Sequence, residues 1–399
     1  MNPHSAEPLT GAFVASEKIG EPTVTELSAD TTDFINQEHD SHSQHSNDTR
    51  NRINGLEPLT ELQHTDVPSV NPAPTAQDDA NATQPPRPKL SPAHPPSAST
   101  RLRKILEETD DLIVAPGVYD GVSARAALEV GFNALYMTGA GTTASRLGQP
   151  DLGIAHLHDM RANAEMIANL SPHGPPLIAD MDTGYGGPIT IARTVTEYIR
   201  AGVAGAHLED QILTKRCGHL LHKPVISASA YTTRLRAAVS ARAAAGSDFV
   251  LIARTDALQT LGYDECVARL RAARALGFDV GLLEGFETKE QARRAVRELA
   301  PWPLMLNVVE GGVGETVGVR EAREMGFRVV VFSFATVCPA FGAIRGALER
   351  LRDAGMVGGG EGAKGEDVVT PRRLFEACGL RECMDIDLGA GSRAFAEGV

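Results

Sequence analysis

The chain of 399 residues has no apolar run as long as the roughly eighteen residues that a membrane-spanning helix needs. Its five cysteines, Cys217, Cys266, Cys338, Cys378 and Cys383, are odd in number and widely scattered. No disulfide framework is expected from them, and a reducing, cytoplasmic setting follows. The opening MNPHSAEPLTGAFVASEK lacks a basic stretch followed by a long apolar core, so no secretory signal is expected. Five early acids (Glu7, Glu17, Glu21, Glu26 and Asp30) against Lys18 alone are wrong for a mitochondrial leader. Basic charge is short overall. Lys and Arg number 38 against 51 Asp and Glu, a net charge of −13, and no basic stripe invites nucleic acid.

What is present falls into two regions. Residues 1–100 are rich in Ser, Thr, Pro, Asn, Gln and His, and carry 14 of the acids against 5 of the bases. Such a segment buries too little apolar surface to offset its ordering entropy, so it is expected to be a disordered, acidic leader without chemistry. The stretch QPPRPKLSPAHPPSAS reads as an extended linker. Residues 101–399 are nearly balanced in charge and form the second region.

There, short β-rich runs alternate with amphipathic segments. The strand candidates are 112–117, 134–139, 176–182, 205–210, 249–256, 280–285, 303–310 and 328–334. Helix candidates cover Ser123–Glu129, Ile189–Arg200, Ala228–Ala244, Tyr263–Ala275, Lys289–Leu299 and Val319–Met325. Gly131, Gly202, Gly277 and Gly326 stand where left-handed helix caps belong. This alternation predicts an α/β fold, a (β/α)8 TIM barrel. A doubly wound sheet is the alternative by pattern, but GVYDG after the first strand is no dinucleotide fingerprint.

Barrel enzymes place their chemistry at the C-terminal ends of the strands. Here those ends carry Tyr119, Asp120, Tyr136, Thr138, Gly139, Asp180, Asp182, Glu209, Asp210, Arg254, Asp256, Glu284, Asn307, Glu310 and Ser333. Asp120, Asp210 and Asp256 are equally well explained as helix caps. So many acids in one mouth would repel one another unless a cation relieved them. Asp180 and Asp182, two apart, would share one face of a strand. Hard oxygen donors without a His/Cys cluster favour Mg2+ or Mn2+, with Glu209 holding a water. In the loop after the fourth strand, KRCGH sets Cys217 between Lys215, Arg216 and His219, a field that lowers a thiol pKa toward neutrality and suits acid–base work. Cys266, Cys338, Cys378 and Cys383 lie in helix-like segments and are expected to pack.

Together with KRCGH, the motifs YMTGAGTTASRLGQPDLG, IADMDTGYGG, HLEDQ and ARTDA resemble the isocitrate lyase/phosphoenolpyruvate mutase superfamily, from about residue 101 to the end. The ending FEACGL…AFAEGV is similar to the oxaloacetate acetylhydrolase (oxaloacetase) family within it. The resemblance implies a barrel whose last helix exchanges between subunits of a homodimer or homotetramer. It implies metal at Asp180 and Asp182 with Glu209 outside them, and a substrate carboxylate on the backbone of Thr138, Gly139 and Ala140. Cys217, Gly218 and His219 then lie on a gating loop, Arg254 clamps the substrate, and Glu284 and Asn307 complete the pocket.

The activity implied is metal-dependent hydrolysis of oxaloacetate to oxalate and acetate, with Cys217 protonating the departing enolate. The proton acceptor is open among Tyr136, Glu209 and a hydroxide on the metal. Within the superfamily, the position where methylisocitrate lyases carry an Arg is Cys338 here, which would leave a third carboxylate unpaired. Ser333 stands where those lyases have Pro. The alternatives are a 2-alkylmalate lyase of the 2,3-dimethylmalate type or a methylisocitrate-type lyase. In every case the partner is a small 2-oxo or 2-hydroxy dicarboxylate.

Overall fold

The computed structural model describes residues 95–218, 220–312, 314–357 and 369–395. Residues 1–94 of the leader expected over 1–100, and the predicted site residue His219, lie outside these. Residues 98–100, placed in the leader by composition, are helical, because the Ser97 hydroxyl accepts from Thr100 N–H and caps the helix Ala98–Glu108 (α1).

Eight parallel strands close a barrel in sequence order: β1 (Ile113–Val118), β2 (Leu135–Met137), β3 (Leu177–Asp180), β4 (Gly205–Glu209), β5 (Val250–Thr255), β6 (Val280–Leu283), β7 (Leu304–Val308) and β8 (Val329–Phe332). The seam pairs Ile113 with Val329. The helices between them are α2 (Gly121–Val130), α3 (Gly139–Leu147), α4 (Leu157–Ala168), α5 (Pro188–Arg200), α6 (Ala228–Ala244), α7 (Leu258–Leu261), α8 (Tyr263–Ala275), α9 (Lys289–Leu299) and α10 (Val319–Met325). All four glycines expected at helix ends hold positive φ, between 84° and 96°.

Side chains alternate along the strands, which makes two apolar layers. Leu177, Ala179, Leu251, Ala253, Leu304, Leu306 and Val330 face outward onto the helices. Ile113, Ala115, Ile178, Val250, Ile252, Val280, Leu282, Met305, Val329 and Val331 fill the barrel interior with Leu102 of α1. Leu102 is fully buried, so α1 belongs to the barrel floor. Arg103 of α1 and Arg242 of α6 both donate to Asp279 at that end, at 2.9 and 2.6 Å.

After β8 come α11 (Val337–Ala354), α12 (Pro371–Ala377) and α13 (Leu380–Gly389), and none of the three has a buried residue. Phe341, Ile344 and Leu348 make an apolar stripe on α11 that is 58–67% exposed. This corrects the expectation for three cysteines. Cys266 is buried as predicted, whereas Cys338, Cys378 and Cys383 are exposed because their helices pack against nothing along these faces. Among the described residues no helix is long and apolar enough to cross a membrane.

Candidate active site

The inward row continues upward from the apolar interior. One step beyond Tyr136, Ile178, Ile252, Leu282, Met305 and Val331 lie Thr138, Asp180, Arg254, Glu284, Asn307 and Ser333, and β4 adds His207 and Glu209. Strand periodicity therefore gathers one polar layer at the C-terminal mouth. All but Asn307 in that layer are buried.

One side of the layer is acidic. β3 ends at Asp180, and Asp182 follows with a left-handed φ of 47°. The two aspartates are thus not partners on one strand face, as their spacing suggested. They are joined because Asp182 N–H donates to Asp180 Oδ1 at 2.8 Å, within a turn that bends the chain back. Lys215 reaches in from the loop after β4, its ammonium 2.5 Å from Asp182 and 2.6 Å from Asp151. Burial and the neighbouring Asp180 and Asp151 charges lift Asp182 to about 7 against the pull of Lys215. Burial likewise raises Asp180, and it raises Glu209 well above the ordinary glutamate range, although Arg254 opposes both. Burial works against the Lys215 charge, but the surrounding carboxylates hold its pKa well above that of a free lysine.

These residues fit a divalent cation. Asp182 Oδ1 is ion-paired with Lys215 but makes no hydrogen bond, and both Glu209 oxygens are buried without one. Buried acceptors left in this state call for a positive partner. Among the described residues no three His, Cys, Asp or Glu side chains converge as a complete chelate. Mg2+ takes one or two carboxylates directly and keeps several waters.

The opposite side is built around Arg254. Asp256 accepts from its Nε at 2.8 Å and its Nη2 at 3.0 Å, and Glu209 lies 3.2 Å from Nε. Lys223 donates to Asp256 at 2.8 Å and to the Gly218 carbonyl at 2.7 Å. Burial opposes the Asp256 charge, but Arg254 and Lys223 hold this carboxylate well below its usual range. Gly218 lies directly on the site, since a Cβ there would come within 2.7 Å of both Arg254 Nη2 and Glu284 Oε1. Asn307 donates through Nδ2 to Glu284 at 3.1 Å, and Ser333 Oγ donates to Asn307 Oδ1 at 2.6 Å. A carboxylate can only accept, which fixes the orientation of the Asn307 amide.

Between the two sides, Tyr136 and His207 share a hydrogen bond of 2.9 Å. Burial pushes the Tyr136 pKa well above 10, with Asp180 adding to it, and pushes His207 down to about 3, with Arg254 adding to it. Both groups are neutral at physiological pH. Thr138 caps α3, accepting from Gly141 N–H at 3.3 Å, and Gly139 and Ala140 open the helix. The first N–H groups of a helix have no internal acceptor and suit an anion. Gly139 must lack a side chain, because a Cβ would overlap Asp180 Oδ2.

Residues 102–352 match the sequence profile of the phosphoenolpyruvate phosphomutase family. The chain belongs to that family. Among curated relatives of the phosphoenolpyruvate phosphomutase family, a 2,3-dimethylmalate lyase from Eubacterium barkeri is 37% identical over 241 residues, 60% of this chain and 81% of the relative. An oxaloacetate acetylhydrolase solved with the inhibitor 3,3-difluorooxalacetate is 66% identical, with a TM-score of 0.72 over 75% of this chain and 99% of that one. A solved 2,3-dimethylmalate lyase of the PEP mutase/isocitrate lyase superfamily is 56% identical, with a TM-score of 0.73 over 77% of this chain and 99% of that one.

The barrel mouth brings together Tyr136, Thr138, Gly139, Ala140, Asp180, Asp182, Glu209, Gly218, Arg254, Glu284, Asn307 and Ser333, and Cys217 adjoins Gly218 on the loop after β4. Three strand-end residues drop out. Asp120 caps α2, Asp210 binds Thr255, the Asp256 N–H and Arg269, and Glu310 is exposed. Asp256 is not a cap either, but the hub between Lys223 and Arg254. The positive field proposed for Cys217 is largely engaged elsewhere. Lys215 serves Asp151 and Asp182, and Arg216 donates outward to the Leu221 carbonyl. Missed by the sequence reading were His207, Asp151 and Lys223. His207 was findable, because it sits two residues before Glu209 on the same inward row. The partners of Asp151 and Lys223 depend on loop folding and leave no periodic trace.

Proposed function

We propose that this chain hydrolyses oxaloacetate to oxalate and acetate, using Mg2+ or Mn2+ held by Asp180 and Asp182 with Glu209 behind a water. The observation that carries the reading is Ser333, a buried hydroxyl just beyond β8, bonded to Asn307 beside Glu284. A second hydroxyl on the hydrated C2 of oxaloacetate needs a polar neighbour there, and Ser333 and Asn307 supply one. The likeness to an oxaloacetate acetylhydrolase at 66% identity supports the same substrate.

The residues divide the work as follows. Gly139 and Ala140 receive a substrate carboxylate on the α3 N-terminus, and Arg254, held by Asp256, takes the other. Bound metal supplies positive charge opposite the oxyanion that develops at C2. Glu209, made more basic by burial and free of hydrogen bonds, takes the proton of the C2 hydroxyl. Burial pushes the Tyr136 phenol upward, which favours a hydrogen-bonding role for it over that of the base. As the C2–C3 bond breaks, its electrons pass to the acetate fragment. Cys217 protonates C3, and C2 becomes the second carboxyl of oxalate. Lys215 remains an ammonium and does not form an imine.

The deciding experiment is oxalate release from oxaloacetate by metal-free protein with and without added Mn2+. Oxalate formation only with metal supports the reading. No oxalate from oxaloacetate, with cleavage of a 2-alkylmalate instead, favours the second reading of a dimethylmalate-type lyase, which the 56% identity to such an enzyme supports. A methylisocitrate-type lyase is disfavoured, because Cys338 cannot pair a third carboxylate.

A homodimer or homotetramer exchanging α11 is part of the proposal. The bare stripe of Phe341, Ile344 and Leu348 supports it, and sedentation to a monomer in analytical ultracentrifugation would refute it. A reducing, cytoplasmic setting is proposed from five cysteines that are odd in number and widely scattered along the chain.

A further inference from the structure

We propose that Lys223 is a positioning residue that couples closure of the Cys217–Gly218 loop to the setting of the Arg254 guanidinium, acting through Asp256. The inference rests on the reading of Arg254 as substrate clamp and Cys217 as proton donor.

The loop leaves β4 and returns beside itself. Gln211 bridges Val225, and Ile212 N–H donates to the Pro224 carbonyl at 3.1 Å. Its two stems are therefore fixed, while its tip carries Cys217 and Gly218. Lys223 lies on the returning stem, fully buried, with its ammonium turned toward the tip. Burying an ammonium is costly unless partners surround it. Two are in place, the Gly218 carbonyl at 2.7 Å and Asp256 Oδ1 at 2.8 Å.

These two partners differ in kind. Asp256 follows β5 and belongs to the barrel, whereas the Gly218 carbonyl is available only while the tip lies on the site. Opening the tip removes one of the two acceptors from a buried charge. The same Asp256 oxygen that receives Lys223 also receives Arg254 Nη2, and the other receives Arg254 Nε. Any shift of Lys223 toward Asp256 thus competes with Arg254 for that oxygen. With the tip closed, Lys223 is shared between loop and carboxylate, and Arg254 keeps its two-point grip. A lysine that only balanced the charge of Asp256 would have no need of the loop carbonyl.

The test uses full-length, Mn2+-loaded protein and the variant Lys223→Met, which keeps length and apolar bulk but removes the charge. Alkylation of Cys217 by iodoacetamide is followed peptide by peptide, with exposed Cys378 as the internal reference. Losing a charged hydrogen bond that holds the tip should raise Cys217 labelling by about tenfold or more, with Cys378 unchanged. The kcat on oxaloacetate should fall by a similar factor, and more than KM rises. Asp256→Asn keeps the volume and removes the charge that holds Lys223, so it must expose Cys217 too, and it replaces the first variant if that one fails to fold. Unchanged Cys217 labelling in either folded variant overturns the coupling, even where kcat falls. Should wild-type protein release no oxalate, the proposed function fails, while the labelling comparison still decides the role of Lys223.

Discussion

The Tyr136 hydroxyl and the His207 Nε2 lie 2.9 Å apart inside the barrel, joining β2 to β4 by a hydrogen bond between two neutral side chains. His207 Nδ1 has no hydrogen-bond partner, and Asp180 Oδ1 is 3.6 Å away. Even with that carboxylate near, burial and Arg254 keep the imidazole unprotonated down to about pH 3.

This gives a stability prediction with a definite sign. An unfolded histidine takes up a proton near pH 6.5, which the folded one resists until about pH 3. The unfolded state therefore binds more protons between these values. Stability from a neutral His207 is present above pH 6.5 and is lost as pH falls toward 3. His207→Gln escapes this loss, so the stability gap between wild type and variant, from urea unfolding, should narrow from pH 7 to pH 4. A gap independent of pH would mean that His207 titrates normally in the fold.

Gly218→Ala should impair turnover without unfolding the protein. The added methyl would meet Arg254 and Glu284 at 2.7 Å, so either these two side chains or the loop must shift. Crowding of this kind costs about 1–3 kcal/mol, or roughly five- to a hundredfold in kcat/KM. Steady-state kinetics beside a thermal melt would check it. Normal turnover would mean that the loop need not lie this close.

Much of this site is legible in the sequence because it follows strand periodicity. Arg254, Glu284, Asn307 and Ser333 each stand two residues above an interior apolar residue, and that spacing is visible without a structure. Helices α6, α8, α9 and α10 match their predicted limits to the residue, and each begins behind a Ser, Thr or Gly at its N-cap. α3 and α4 escape the same reading, since GAGTTASRL is poor in strong helix formers and α4 starts behind a histidine. Asp182 was placed on a strand face that ends two residues earlier. Its left-handed backbone carries no sequence mark, because glycine usually occupies such positions. Lys215 was read as a neighbour of Cys217, yet its partners Asp151 and Asp182 come from distant loops. The burial of Tyr136 against His207, which favours a hydrogen-bonding role over that of a base, is likewise invisible in the sequence.

Asp182→Ala should abolish metal-dependent turnover and weaken Mn2+ binding in a calorimetric titration. It removes one of the two carboxylates proposed to hold the metal, and takes from Lys215 the nearer of its ion pairs with Asp182 and Asp151. Undiminished Mn2+ affinity would take Asp182 out of the metal site.

Cys217→Ser should lower kcat by about two to four orders of magnitude, the usual contribution of a positioned acid. A hydroxyl is a far weaker acid than a thiol, while the loop keeps its shape. Single-turnover measurement of acetate release would show it. A rate near that of wild type would assign the proton to another group.

Ser333→Ala should separate the two candidate activities. The hydroxyl is bonded to Asn307, so its loss removes a polar neighbour of the hydrate and frees the amide to turn. A buried oxygen without its partner costs about 1–3 kcal/mol, or roughly five- to a hundredfold in kcat/KM for oxaloacetate. A 2-alkylmalate, with a single C2 hydroxyl, should suffer less. Equal losses on both substrates would reduce Ser333 to a turn residue.

The layering of the barrel interior has a practical reach for protein engineering. Ile113, Ile178, Ile252, Leu282, Met305 and Val331 sit below the polar layer, in the apolar cluster that also holds the ring of Tyr136. Volume-conserving exchanges among such residues usually cost little and sometimes tighten a core. The lower tier is therefore the place to seek heat tolerance, since its redesign leaves the charge pattern of the mouth intact. Changes in the upper tier carry a different risk, because Asp256 serves both Lys223 and Arg254. A library built on this chain should vary the floor freely and hold the ceiling fixed.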